Sequence, residues 1–166
     1  MNKLVVLIAV IAILFVYIFN LNKYEDFKSD NLPIYVSLTS IFNNQKELYL
    51  TLNSILNQTL KPDKIYLYLS EQPYILDKGF KYKKITYKKL NDLIKNNNSI
   101  KLNWVENIGS FRKLLYLLKE KFYEDCIIIT VDDDTIYNKD LIKNLVNDYK
   151  KHKCVINYRG FTPKMK

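Results

Sequence analysis

The sequence predicts an α/β domain, a three-layer α/β/α arrangement around a mostly parallel sheet, preceded by an N-terminal membrane helix. Three observations predict it. From residue 33 onward, short β-rich apolar runs alternate with longer amphipathic ones, as expected when each strand is followed by a helix that crosses back over the sheet. One run, 126–131 (CIIITV), is uninterrupted, the pattern of a strand covered on both faces in a parallel sheet. Residues 4–19 (LVVLIAVIAILFVYIF) are continuously apolar, and with their uncharged flanks they approach the ~20 residues that cross a bilayer as a helix.

The elements follow in order. Residues 1–22 read as an uncleaved transmembrane anchor, because FNLNKYEDF offers no small-residue cleavage site. Lys3 stands on one side and Lys23 and Lys28 mix with Glu25, Asp26 and Asp30 on the other, so the positive-inside bias is slight. Residues 23–32 form a polar tether, and 33–166 the folded domain. Within it, 34–40 (IYVSLTS) is the first strand. A helix over 46–57 places Leu48, Leu52, Ile55 and Leu56 at helical spacing and stops before Lys61-Pro62-Asp63. The second strand is 64–70, closed by Glu71-Gln72-Pro73; a lysine-rich loop and a helix from about Thr86 end at Asn96-Asn97-Asn98. The third strand is 100–105, followed by a helix over 110–122 with Leu114, Leu115, Leu117 and Leu118 on a broad apolar face. The fourth strand, 126–131, leads to a helix over 139–151 and a fifth strand over 153–159.

Composition bounds the function. With 166 residues, 48% of them hydrophobic, and only three Gly and four Pro, the chain has material for one packed domain and is neither fibrous nor disordered. Cys126 and Cys154 both lie in apolar runs and read as reduced core residues, which excludes a disulfide scaffold or a paired-cysteine metal site. The net charge of +9 comes almost wholly from lysine, with Arg112 and Arg159 the only arginines. It favours anionic partners, while the lack of an arginine-rich or aromatic-basic motif argues against nucleic acid. The lysines between 78 and 89 read as a solvated face, with a membrane-surface or phosphate role as the alternative.

In an open α/β sheet, ligands bind beyond the carboxyl ends of the strands. Two features fall there. Asp132-Asp133-Asp134 directly follows the apolar fourth strand. Adjacent carboxylates repel unless a cation compensates them, and hard divalent cations bridge one or two such groups to a diphosphate; a solvated turn capping the next helix is the other reading. Tyr137 and Lys143 stand where an EF-hand loop from Asp132 requires Gly and Glu, which excludes that motif. The second feature is Asn107-Ile108-Gly109-Ser110-Phe111-Arg112-Lys113. A glycine lets backbone approach a ligand, and free amides at a helix start with Arg112 or Lys113 suit phosphate oxygens; a tight turn with exposed basic residues is the alternative. One feature suits a metal and the other phosphate, and a nucleotide diphosphate would use both.

With these in place, the sequence resembles the GT-A glycosyltransferases, specifically the family 2-like group. Residues 34–40 and the stretch from Leu52 to Ile65 look like the opening βαβ unit, with the pattern SIL-x-Q-x-x-x-P-D-x-I. Asn107-x-Gly109 with Lys113 resembles that group's D/N-x-G-P-x-x-K segment, Ser110 standing where Pro is usual, and Val131-Asp132-Asp133-Asp134 followed by Tyr137 is similar to its DXD metal motif. The resemblance covers about residues 33–162. It implies a Rossmann-like, nucleotide-sugar-binding domain, a divalent metal (Mn²⁺ or Mg²⁺) on the diphosphate, and sugar transfer to a hydroxyl of a glycan or glycolipid acceptor. Thr39 and Glu71 would lie near the nucleotide; Asn107, Gly109 and Lys113 would contact the nucleotide or diphosphate. Asp132 would approach the ribose and Asp134 ligate the metal, with Asp133 able to take either role. Members of the group continue past the DXD strand into a half that supplies acceptor contacts and the general base. The resemblance therefore implies the donor-binding half here, with no base assigned, and a cytosolic domain if the chain is bacterial. The competing expectation is a non-enzymatic membrane-tethered module for acidic lipid or polysaccharide.

Overall fold

The computed structural model describes residues 32–158. The anchor expected over 1–22 and nearly all of the tether over 23–32 lie outside the described residues, as do Arg159 and the residues after it. Among the described residues no helix is long and apolar enough to cross a membrane.

Four strands, β1 (Ile34–Thr39), β2 (Lys64–Leu69), β3 (Ile100–Trp104) and β4 (Ile127–Thr130), form one sheet in the order β3-β2-β1-β4. All three pairings are parallel: Val36 lies opposite both Ile65 and Ile129, and Leu67 opposite Leu102. Four helices connect or follow them: α1 (Gln45–Leu56), α2 (Lys88–Asn96), α3 (Arg112–Glu120) and α4 (Leu141–His152).

Side chains alternate between faces along each strand, and this sorts the core into two layers. Ile34, Val36 and Leu38 of β1, with Ile65, Leu67 and Leu69 of β2, meet Leu48, Leu52 and Ile55 of α1, Leu90 of α2, and Ile142 and Val146 of α4. On the opposite face Tyr66 and Tyr68 of β2, with Tyr35 and Ile128, meet Leu117 of α3. The predicted α/β/α layering and parallel sheet are what the structure has. The SIL-x-Q-x-x-x-P-D segment acquires a local reason: Asp63 Oδ2 accepts the Ile34 amide at 2.7 Å and fixes the start of β1.

Three details differ from the expectation. Residues 153–158 are not a strand. The chain leaves α4 through Lys153 in the left-handed region (φ 52), and Val155 is 96% exposed; β-branched residues with neither a paired edge nor a buried face do not make a strand. Among the described residues the sheet ends at β4, so CIIITV is an edge strand; both its faces are nonetheless packed, Ile127 and Ile129 against one layer and Ile128 against the other, while Thr130 is exposed. Cys154 is exposed, not a core residue, and Cys126 is half-buried. In α3 only Leu117 of the four leucines is buried, while Leu114, Leu115 and Leu118 are exposed, because only one stripe of a helix meets the sheet.

Candidate functional site

The connection from β1 runs toward β2 and β3, whereas β4 is added on the other side of β1. The carboxyl ends of β1 and β4 thus flank the switch point where open α/β sheets form a crevice. A cavity of about 370 Å³ opens there. Thr39 and Ser40 reach it from the end of β1, Asp132 and Asp133 from the end of β4, and the turns around Gly109 and Tyr74 close two further sides.

The three aspartates have three different environments. Asp133 is turned inward: its Oδ2 accepts from the Ser40 hydroxyl and, at 3.2 Å, from Asn44 Nδ2. Burial pushes its carboxyl above the ordinary carboxylate range, against the opposing pull of those hydrogen bonds. Asp132 is exposed and its Oδ1 pairs with Lys113 Nζ at 2.5 Å. Asp134 is exposed and accepts from the Thr135 hydroxyl at 3.4 Å. Helix α1 holds the turn in shape. The Thr51 hydroxyl lies 2.9 Å from the carbonyls of both Asp133 and Thr135, the Tyr137 amide donates to Ser54 Oγ at 3.1 Å, and Gln58 Nε2 donates to the Asn138 carbonyl at 2.7 Å. The Tyr137 hydroxyl in turn accepts the Asp132 amide at 2.8 Å.

The glycine turn is built by Asn107. Its Nδ2 donates to the Gln72 carbonyl at 2.7 Å and to Asp77 Oδ2 at 3.0 Å, and its Oδ1 accepts the Gly109 amide at 3.1 Å. Asn107 is buried, so it shapes the turn and its own amide is occupied. Gly109 adopts φ +66, which glycine takes without steric cost, and a Cβ there would crowd the exposed Tyr74 ring at 3.1 Å. A 3-10 turn over Gly109–Phe111 passes into α3, and the Ser37 hydroxyl of β1 donates to the Lys113 carbonyl. That bond sets Lys113 at the level of the strand ends.

Arg112 and Lys113 are not alternatives. Arg112 is buried, its Nη2 paired with Asp77 Oδ2 at 3.0 Å, its Nε bonded to the Gly109 carbonyl at 3.1 Å. Asp77 Oδ1 accepts the Gly79 amide at 3.0 Å and the Phe42 amide at 3.4 Å. This pair ties the loop after β2 to the turn before α3; Arg112 and Lys113 both line the cavity, Arg112 from a buried position and Lys113 from a more exposed one. Arginine is the residue suited to such a buried, multiply bonded pair, and that Arg112 is one of only two arginines among 26 basic residues is the signal that could have found it. Asp77 and Gly79 were not singled out from sequence; a Cβ on Gly79 would lie 2.2 Å from the Glu71 carbonyl oxygen at φ +69.

The predicted site residues therefore divide. Thr39, Gly109, Lys113, Asp132 and Asp133 line one cavity. Thr39 donates to the Tyr68 carbonyl at 2.7 Å. Asn107 stands behind the cavity wall, and Glu71 is exposed, accepting the Tyr82 amide at 3.0 Å, away from the lining. Asp134 is outside the lining as well, at the outer end of the acidic turn. Among the described residues no group of three His, Cys, Asp or Glu side chains is arranged around a metal position. The donors that do face outward, Asp132 and Asp134, are hard carboxylate oxygens, which suit Mg²⁺ or Mn²⁺ held by one or two protein carboxylates with diphosphate and water completing the shell. No protein-family model matches the chain, and no curated protein matches it.

Proposed function

We propose that residues 33–166 act as the donor-binding half of a membrane-anchored, GT-A-like glycosyltransferase that takes a sugar from a nucleotide-diphosphate sugar to a hydroxyl of a glycan or glycolipid. The observation that carries this reading is the convergence, on one crevice beside β1, of an exposed carboxylate turn, the Lys113 ammonium paired to it, and a left-handed backbone turn at Gly109. Neither sign of charge alone fits: the carboxylates would repel a diphosphate, and the lysine would not hold a cation. A diphosphate with a divalent metal matches both.

In this reading Asp132, at the cavity, and Asp134, at the outer end of the same turn, would hold the cation, and Asp133, already bonded to Ser40 and Asn44, keeps the turn in place. When bound, the metal supplies Lewis-acid stabilisation of charge on the diphosphate. Lys113, paired with Asp132 in this structure, would place its ammonium on the phosphate oxygens, where negative charge would grow as the sugar departs. Thr39 and the amides beyond Gly109 face the rest of the nucleotide.

Equilibrium dialysis of labelled nucleotide sugars against the full chain in detergent, with and without Mn²⁺, tests the assignment. Retention that requires Mn²⁺ and is lost in Asp134→Ala is expected. Retention that is the same without metal, or unchanged in that variant, would reject it.

A further inference from the structure

The loop after β2 ends in a two-residue hairpin tip: the Tyr74 amide donates to the Asp77 carbonyl at 2.8 Å and the Asp77 amide returns to Tyr74 at 2.9 Å. Such tips ordinarily carry Gly, Asn or Asp. Here they are Ile75 and Leu76, 85% and 83% exposed, and Ile75 holds φ 52. A β-branched residue in the left-handed region is strained, and strain of this kind is retained where the surrounding structure fixes it for a purpose. The base of the tip is held by the Tyr74–Asp77 backbone bonds and by the Asp77 side chain bonded to Arg112 and Asn107.

The surroundings of the tip are rich in exposed lysine, with Glu71 bonded to the Tyr82 amide and Asp132 across the cavity as the acids nearby. Between residues 72 and 91 the sequence holds Lys78, Lys81, Lys83, Lys84, Lys88 and Lys89 and a single acid, Asp77. All six lysines are exposed, whereas Asp77 is buried against Arg112. Tyr82, 87% exposed and also at positive φ, projects among them, and Phe111, 66% exposed, stands across the cavity mouth.

We propose that this loop docks on an anionic bilayer, with Ile75 and Leu76 entering the headgroup and acyl boundary and the lysines meeting acidic headgroups. Two aliphatic side chains on a projecting turn have nothing to bind on a polyanion such as nucleic acid or polysaccharide, whereas hydrocarbon accepts them. Each lysine near an anionic surface raises binding about fivefold, and apolar insertion adds to it. The apolar run at 4–19, read from sequence as an anchor, brings a bilayer within reach of the same chain. Because Tyr74, Ile75 and Leu76 also line the cavity, docking opens the cavity at the lipid surface. If the transferase reading holds, its acceptor is then lipid-borne.

The full chain carrying Leu76→Trp, reconstituted into vesicles with bromine-labelled acyl chains, reports the depth of the tip. In vesicles of equal parts phosphatidylcholine and phosphatidylglycerol, quenching well beyond that of the unsubstituted chain is expected. It should fall severalfold in phosphatidylcholine alone, and again when Lys78, Lys81, Lys83 and Lys84 are changed to Glu. Absence of added quenching in the anionic vesicles, or quenching indifferent to the lysine changes, overturns the proposal. Heparin binding that persists in Ile75→Asp/Leu76→Asp, with no vesicle quenching, assigns the lysines to a soluble polyanion and overturns it too. Nucleotide dialysis is read separately, so failure of one reading leaves the other testable.

Discussion

Arg112→Met removes the guanidinium that joins three parts of the site while keeping an unbranched apolar stem. The structure sets the size of the effect. Lost are the ion pair to Asp77 Oδ2 at 3.0 Å and the bonds to the carbonyls of Gly109 at 3.1 Å and Ser40 at 3.3 Å. Asp77, with a side chain 5% exposed, is left charged with only Gly79, Phe42 and Asn107 as partners. Leaving one member of a buried pair uncompensated costs about 3–5 kcal/mol. Against that, Arg112 Nη1 is buried with no hydrogen-bond partner, and removing an unsatisfied donor recovers about 1–3 kcal/mol. The net expectation is a loss of about 0–4 kcal/mol, centred near 2, against the about 5–15 kcal/mol of a typical domain. Urea unfolding of the full chain in detergent, followed by emission of the sole tryptophan, reads it directly, since the Trp104 ring packs against Phe80 with centroids 5.8 Å apart. The double variant Asp77→Asn/Arg112→Met, which leaves no buried charge, should lose clearly less than Arg112→Met alone. A gain of stability in Arg112→Met, or a double variant less stable than the single one, would refute the view of Arg112 as a charge-compensating tie.

Other outcomes follow from the same geometry. Gly79→Ala should destabilise by about 1–2 kcal/mol from the left-handed φ alone, and by more from the 2.2 Å approach to the Glu71 carbonyl; faster proteolysis within residues 71–80 would accompany the loss. Asp133→Asn should be more stable than the wild type at neutral pH. Because burial raises the folded-state pKa of Asp133, the unfolded chain gives up that proton first, and stability falls as pH rises from the ordinary carboxylate range through the raised value. The advantage of the variant should therefore vanish in acid, and an advantage that persists below about pH 3 would contradict the assignment. Lys113→Met should change stability by less than about 1 kcal/mol, since its partner Asp132 is 60% exposed, yet lower nucleotide-sugar retention about tenfold, as expected for loss of one charge-assisted contact. Equal retention would remove Lys113 from the phosphate site.

The parts of the fold visible in the sequence were those carried by periodicity. Val36, Leu38, Ile65, Leu67 and Leu69 on one face and Tyr66 and Tyr68 on the other alternate as strands must, and Leu48, Leu52 and Ile55 repeat as a helix must. What periodicity could not decide was context. CIIITV has the letters of a central strand, but its place in the order depends on what pairs with its far side, and the structure pairs it with β1 alone. Residues 153–158 have strand letters and no partner.

The site was legible where function follows position along the chain and illegible where it follows orientation. Strand ends placed Thr39, Lys113 and Asp132 at one crevice. That Asp133 faces inward to Ser40 and Asn44, while Asp134 faces out, depends on the turn that Thr51 and Ser54 of α1, with Gln58 just past its end, hold in place. Those three recur at helical spacing, a polar stripe in an otherwise apolar helix face, and that stripe is the sequence signal for a helix organising a neighbouring loop. Glu71 was placed at the site because it follows β2; the chain turns there to bond Tyr82, and the acid that reaches the site's framework is Asp77.

The claim that a diphosphate and a divalent cation share the crevice at β1 and β4 is tested most directly by calorimetric titration of nucleoside diphosphates into the full chain with and without Mn²⁺. The account predicts saturable heat that requires Mn²⁺, is weakened by Lys113→Met and is abolished by Asp134→Ala. Heat of equal size in the presence of a chelator, or none under either condition, would contradict it.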